Sequence, residues 1–248
     1  MNPDDTNFLD YLSKEEYNLL ASIVNLRLDI DVFSMLDGLY KTPLKNIEVK
    51  DSEAVIPSLY LFVHFHYYFS VSCILRSHVT EGLASLRKAI DASLTAYKIL
   101  EDPTSEEAYL NREWLFQNIK THIKKARDKD SSLFPLAETL IPMHETCSEY
   151  GSHADFSALE HRIDVYAIEN SEKRKLIFKY FDYPENSDMY HCVFVDILLC
   201  FHTMLIIFQP FMSSRLGGKQ AEWEAELEKI GQALANEQNS CHEHLQGS

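Results

Sequence analysis

Residues 54–75 read AVIPSLYLFVHFHYYFSVSCIL, and residues 197–214 read ILLCFHTMLIIFQPFMSS. Neither stretch holds an Asp, Glu, Lys or Arg. Each is long enough to make a membrane span conceivable. The first, however, carries His64, His66 and three serines; the second carries His202, Thr203, Gln209 and Pro210, with Asp196 just before it. With a mean hydropathy of −0.23 for the whole chain, both read as central helices of a bundle, oily because neighbours cover them on most sides. No membrane span is expected.

Working outward, the flanking segments repeat at helical spacing. Ser13-Lys14-Glu15-Glu16 has the form of a capping box, and Tyr17, Leu20, Val24, Leu28, Val32 and Leu36 follow at one face, with Gly38 as the expected C-cap. Pro57 suits a first helical turn, and that helix is expected to reach about His78. Gly82 marks a break or a tight contact, after which Leu83, Leu86, Ile90, Leu94 and Tyr97 carry the period to Leu100. Thr104-Ser105-Glu106-Glu107 is a second capping box, opening one helix to about Ala126. Pro135 starts another, which Gly151 closes.

The period then changes from helical to alternating. Ile163, Val165 and Ala167 alternate with Arg162, Asp164 and Tyr166; Leu176, Phe178 and Tyr180 alternate with Ile177, Lys179 and Phe181. This predicts a hairpin over about 161–182, lying against the helices because an isolated hairpin is marginal. A helix from Asn186 or Ser187 is expected to end near Phe208, ahead of Pro210 and Gly217-Gly218. Trp223, Leu227, Ile230 and Leu234 predict a last helix over about 221–236, with a frayed tail over 238–248. The expected fold is mainly α: a single domain, 1–248, holding a bundle of about six or seven helices and one inserted β-hairpin. Only 7 Gly and 8 Pro speak against a fold built from many hairpins.

Charge narrows the function classes. With 23 Lys+Arg against 38 Asp+Glu the net charge is −15, so general nucleic-acid binding is not expected. Lys120, Lys124, Lys125, Arg127 and Lys129 form a local exception. They complement a helix C-terminus or make a binding patch. The N-terminus opens Met1-Asn2-Pro3-Asp4-Asp5 with no leader signature, and the five Cys include no C-x-x-C pair. A reducing cytoplasm follows as the expectation, with Cys73, Cys147, Cys192, Cys200 and Cys241 acting as small apolar residues.

Two segments carry candidate chemistry. Cys147-Ser148-Glu149-Tyr150-Gly151-Ser152-His153-Ala154-Asp155 gathers a thiol, hydroxyls, an imidazole and carboxylates around a glycine at a helix end. In an acid–base site His153 would transfer the proton, Asp155 would orient it, and Ser148, Tyr150 and Ser152 would bind. The competing reading makes Ser152 or Asp155 a cap. Arg87 and Asp91 are four residues apart and share a helix face; they either point inward to meet His153 or form an exposed pair. No metal site and no cofactor is expected. His64 and His66 fall on different faces, and His191 and His202 are ~16 Å apart along one helix. The P-loop, dinucleotide and nucleophile-elbow motifs are absent.

From Tyr60 to His153 the chain resembles a widespread set of uncharacterised bacterial helical proteins. The residues that carry the likeness are Leu75-Arg76, Leu86-Arg87-Lys88-Ala89-Ile90-Asp91-Ala92, the Cys147–Asp155 segment and Tyr180-Phe181-Asp182-Tyr183-Pro184. More distantly it is similar to the HEPN bundles (higher-eukaryote and prokaryote nucleotide-binding domains), many of which are ribonucleases of toxin–antitoxin or antiphage systems. Their signature is Arg followed after four to six residues by His; none of Arg27, Arg76, Arg87, Arg112, Arg127, Arg162, Arg174 and Arg215 has it. The likeness implies a bacterial, cytosolic helical core, in a stress or defence setting. The expected function is therefore contact with a protein partner or a second copy in a homodimer, which the 13 Tyr and 14 Phe suit. The alternative is a divergent HEPN-like nuclease or small-ligand hydrolase, with Arg87 on an anion, His153 as acid–base and Asp91 or Asp155 orienting it.

Overall fold

The computed structural model describes residues 7–46, 49–50, 53–151, 163–168, 172–181 and 187–247. Its elements run α1 (Phe8–Asn25), α2 (Arg27–Lys41), a 3-10 turn (Thr42–Asn46), α3 (Val55–Leu75), α4 (Val79–Glu101), α5 (Ser105–Leu110), α6 (Phe116–Lys129), α7 (Ala137–Gly151), β1 (Ile163–Ala167), β2 (Arg174–Phe178), α8 (Ser187–Leu216), a 3-10 turn (Gly217–Lys219) and α9 (Gln220–Gly247). This is the mainly α bundle with one inserted antiparallel hairpin that the sequence predicts.

The two uncharged stretches became α3 and α8. In their most apolar windows 56% of α3 and 72% of α8 are buried. Tyr60, Val63, Tyr67, Val71 and Ile74 of α3 meet Phe194, Leu198, Phe201, Leu205 and Phe208 of α8 in one core. Each such side chain contributes ~1.5–3 kcal/mol on burial. The buried phenols find backbone acceptors: Tyr40 donates to Phe201 O (2.6 Å), Tyr60 to Tyr40 O (2.7 Å) and Tyr67 to Phe33 O (2.8 Å). Long aromatic stems can therefore fill the core without stranding a hydroxyl.

Several expected boundaries moved, each for a local reason. Ser13 does not cap α1. Asn7 does, accepting from Leu9 N and Asp10 N while Asp10 Oδ2 accepts from Asn7 N. The same N-cap/N3 spacing therefore occurs earlier, and Ser13 lies inside the helix. Gly38 also sits inside a helix, α2, which Leu26 separates from α1. Residues 105–126 form two helices, because Arg112 turns the chain at φ 59°. The break between α3 and α4 falls at residues 76–78, with Ser77 at φ 63°. Gly82 instead makes a tight contact: Ser70 Oγ donates to its carbonyl (2.8 Å), and an added Cβ would lie 2.6 Å from Ile74 Cδ1. Pro210 lies within α8, which continues to Leu216. The tail expected to fray is helical to Gly247. Cys192 of α8 and Cys241 of α9 are joined as a disulfide, with Cα atoms 5.6 Å apart, so these two are not the separate small apolar residues expected.

The hairpin pairs Ile163 with Phe178 through Ala167 with Arg174. Its strands do not lie flat on the helices as expected; Val165, Tyr166 and Leu176 are exposed. Anchorage comes from the following residue Phe181, buried and stacked 5.2 Å from both Tyr11 and His78.

Candidate functional site

Helices α3 to α6 line an open cavity of about 680 Å³. Val55, Leu59, Phe62, Leu110 and Phe116 give it apolar walls, and Lys88, Asp91 and Glu106 place charge on it. The size is that of a small-molecule site. Helical periodicity explains the lining: Lys88, Asp91, Ala92 and Thr95 are spaced three and four apart, so α4 shows them on one face.

Behind Asp91 and Phe116 stands His144 of α7, which the sequence reading did not single out. It is buried, its ring tilted against that of Phe116 with centroids 5.2 Å apart. Asp91 Oδ1 lies 2.9 Å from its Nε2. Arg87 Nε is 3.4 Å from the same nitrogen, and Lys120 Nζ is 3.3 Å from Nδ1. A neutral imidazole has one acceptor nitrogen, so Arg87 and Lys120 compete for a single lone pair. The Asp91–His144 approach is close but misaligned, and buried Asp91 Oδ1 has no donor in line among the described residues. Arg87 and Asp91, expected either to point inward to His153 or to form an exposed pair, converge on this imidazole.

Charge at the site is uneven. Lys124 is paired with Glu145, while Asp91 lies beside the His144 imidazole, which offsets its charge only when protonated. Among the described residues Arg87, Lys88 and Lys120 have no ion pair with a carboxylate. Burial, then the Lys124 ammonium and to a smaller degree Arg87, holds Lys120 below the usual lysine range, with the Glu145 and Asp91 carboxylates opposing. The ground behind the cavity, where Arg87 and Lys120 meet a single Asp91, is thus locally positive in a chain of net charge −15, whereas the lining itself sets Lys88 against Asp91 and Glu106.

The expected helix-end residues fare differently. Ser152, His153 and Asp155 lie outside the described residues. Ser148 Oγ donates to His144 O (2.7 Å), and Tyr150 is exposed at the end of α7. The Cys147 thiol is pushed up to about 12, chiefly by burial, so the thiolate a nucleophile needs is not available near neutral pH. Among the described residues no three His, Cys, Asp or Glu side chains converge to hold a metal ion. A faint sequence signal for His144 did exist: it lies three residues before Cys147 and four before Ser148, on the helix whose end drew attention.

Fold and site define a helical bundle with a small-molecule-sized cavity backed by a cation-rich polar cluster. No protein-family model, no curated protein and no solved structure matches this chain.

Proposed function

We propose that the bundle binds a small organic anion with an apolar body in the cavity between α3, α4, α5 and α6. One observation carries the reading: Lys88 lines an apolar cavity, Arg87 and Lys120 reach the His144 imidazole behind its wall, and among the described residues none of the three has an ion pair with a carboxylate. An apolar body fits Val55, Leu59, Phe62 and Phe116. An anionic group suits Lys88 and the positive ground behind it. Asp91 Oδ1, buried without an aligned donor, asks for a hydroxyl or amine beside that anion.

Anilinonaphthalene sulfonate has these three features and is the probe. Its fluorescence titration should saturate at one high-affinity site. Lys88→Glu, a reversal at an exposed position, should weaken binding roughly tenfold or more. Ala92→Leu, which extends a side chain into the cavity, should abolish it with the far-ultraviolet circular dichroism unchanged. Binding indifferent to both changes overturns the reading.

The same cluster supports a hydrolytic reading, favoured by the Asp91–His144–Lys120 chain, which joins a carboxylate, an imidazole and an ammonium within 3.3 Å at each link. His144 here takes the acid–base role expected of His153. Turnover of an aryl ester or phosphate that survives His144→Gln would exclude it.

A further inference from the structure

Helix α1 is amphipathic in the inverted sense. Its buried residues are Asn18 and Ser22, whereas Phe8, Leu9, Tyr17, Leu20 and Val24 are 71%, 69%, 62%, 65% and 74% exposed. It holds to the bundle through Leu19 packed on the core, Tyr11 stacked on Phe181 and two polar contacts: Asn18 Nδ2 donates to Arg76 O (3.3 Å), and Glu15 Oε1 lies 2.9 Å from His78 Nε2. At ~100° per residue, the exposed apolar positions spread about one line through Glu16. Around that residue all but Tyr17, whose mirror is Glu15, are symmetric in sequence. Phe8 mirrors Val24, Leu9 mirrors Ile23, and Leu12 mirrors Leu20.

A pattern that reads the same in both directions fits its own copy laid antiparallel. We propose that α1 pairs with α1 of a second copy across a two-fold axis at Glu16, making the chain a homodimer. An interface of this kind is isologous: each residue meets the counterpart of its mirror position. The exposed apolar side chains of α1 present on the order of 700 Å², more than a monomer commonly leaves bare and close to one side of a standard interface. The helix is ~27 Å long, enough for several such layers.

Charge decides against the competing occupants. Asp10, Glu15 and Glu16 outnumber Lys14 on α1, so an anionic bilayer would repel it. In the paired arrangement only Glu16 and its counterpart face each other at the axis; Lys14 sits over the Tyr17 ring at 4.6 Å, at the edge of the contact. Two chains of −15 also repel at long range, so added salt should tighten the dimer rather than loosen it.

Sedimentation velocity on the full chain tests this. A reversible dimer is expected, strengthened by salt. Leu20→Asp should weaken it roughly a hundredfold by placing charge against Leu12 of the other copy. Glu16→Leu should tighten it roughly tenfold, since it removes two opposed carboxylates and adds apolar area. Glu16→Cys should cross-link copy to copy under mild oxidation, because the axis passes through that position. A strict monomer up to millimolar concentration overturns the proposal, as does a dimer indifferent to Leu20→Asp. So does a Glu16→Leu variant that dimerises less well, which would mean a contact without this symmetry. Flotation of the wild-type chain with phosphatidylcholine vesicles would assign the face to lipid and equally overturn it.

Discussion

Asp91 and His144 face each other across helices α4 and α7, Oδ1 to Nε2 at 2.9 Å, with the imidazole buried and the carboxylate about one-third exposed. The pair joins two helices that pack extensively on each other. It also gives Arg87 and Lys120 a common acceptor. His144→Leu keeps the volume but removes all three polar contacts. Because Asp91, Arg87 and Lys120 can each turn partly to water, the loss should be at the modest end for an unsatisfied polar group, about 1–2 kcal/mol. Urea denaturation reads it; an unchanged midpoint would mean that the pair contributes nothing to the fold.

Gly231 of α9 packs against the ring of His202 in α8. A Cβ there would lie 2.6 Å from Cε1 and 2.8 Å from Nε2. The ring cannot swing aside, because Nε2 bonds to Leu227 O at 2.8 Å in a buried setting. Gly231→Ala gains ~1 kcal/mol of helix propensity, but overpacking costs ~1–3 kcal/mol, so the variant should be destabilised. In a His202→Ala background the same change should become stabilising. A double-mutant cycle that shows simple additivity would refute the clash.

What the sequence made legible follows from these packings. Long apolar runs and period-2 alternation specify α3, α8 and the hairpin regardless of context, because burial and pleat require those patterns. The turns at Ser77, Arg112 and Phe134 adopt positive φ without glycine. Composition therefore pointed to Gly82 and Gly38, both of which lie within helices. The site was half legible. Arg87 and Asp91 stood out as charges among apolar neighbours on one face. His144 did not, because its role arises from α6 and α7 folding over α4, a long-range arrangement that no local spacing encodes. The outward apolar face of α1 was hidden for the opposite reason: its periodicity read as a core stripe, and only the fold shows which side the bundle covers.

Acid should weaken the fold early. Burial holds His202 below the usual histidine range, with the Leu227 carbonyl opposing; burial does the same to His64 against Asp37, and to His66 with help from Lys88. The unfolded chain binds these protons near 6.5 while the native one resists them, so the unfolded state carries more protons and stability falls as pH drops below about 6.5. Asp102 adds a later loss: the Lys98 ammonium, Thr104 and Ser105 hold it well below the usual carboxylate range, so its contribution disappears only below its unfolded value of 3.8. At the other end, burial raises Tyr40, Tyr60 and Tyr67 well above 10.0. The unfolded phenols lose protons first, and stability falls again above about pH 10. Urea midpoints should therefore form a plateau between these limits. Continued strengthening on acidification from neutral pH would contradict the buried histidines.

The Cys192–Cys241 disulfide fastens the far end of α9 to the beginning of α8, across a sequence separation of 49. Without it, the end of α9 depends on contacts such as His191 with Glu237 (3.3 Å) and Gln238 Nε2 donating to Asp196 Oδ1 (2.7 Å), which are polar and partly exposed. Such contacts are individually worth little, whereas closing a loop of this size restricts the unfolded chain by ~2–4 kcal/mol. Cys241→Ser should therefore leave the core intact, where Trp223, Leu227, Ile230 and Leu234 hold α9 from its first turns. It should lower global stability by about that amount, which speeds exchange of the most protected core amides to the same degree, and speed amide exchange near residues 236–247 by more than that through local fraying. Alkylation without reductant, followed by mass mapping, checks the premise: label should reach Cys73, Cys147 and Cys200 on unfolding and spare Cys192 and Cys241. Exchange that quickens equally along α9 would mean the bond supports the whole helix rather than its end.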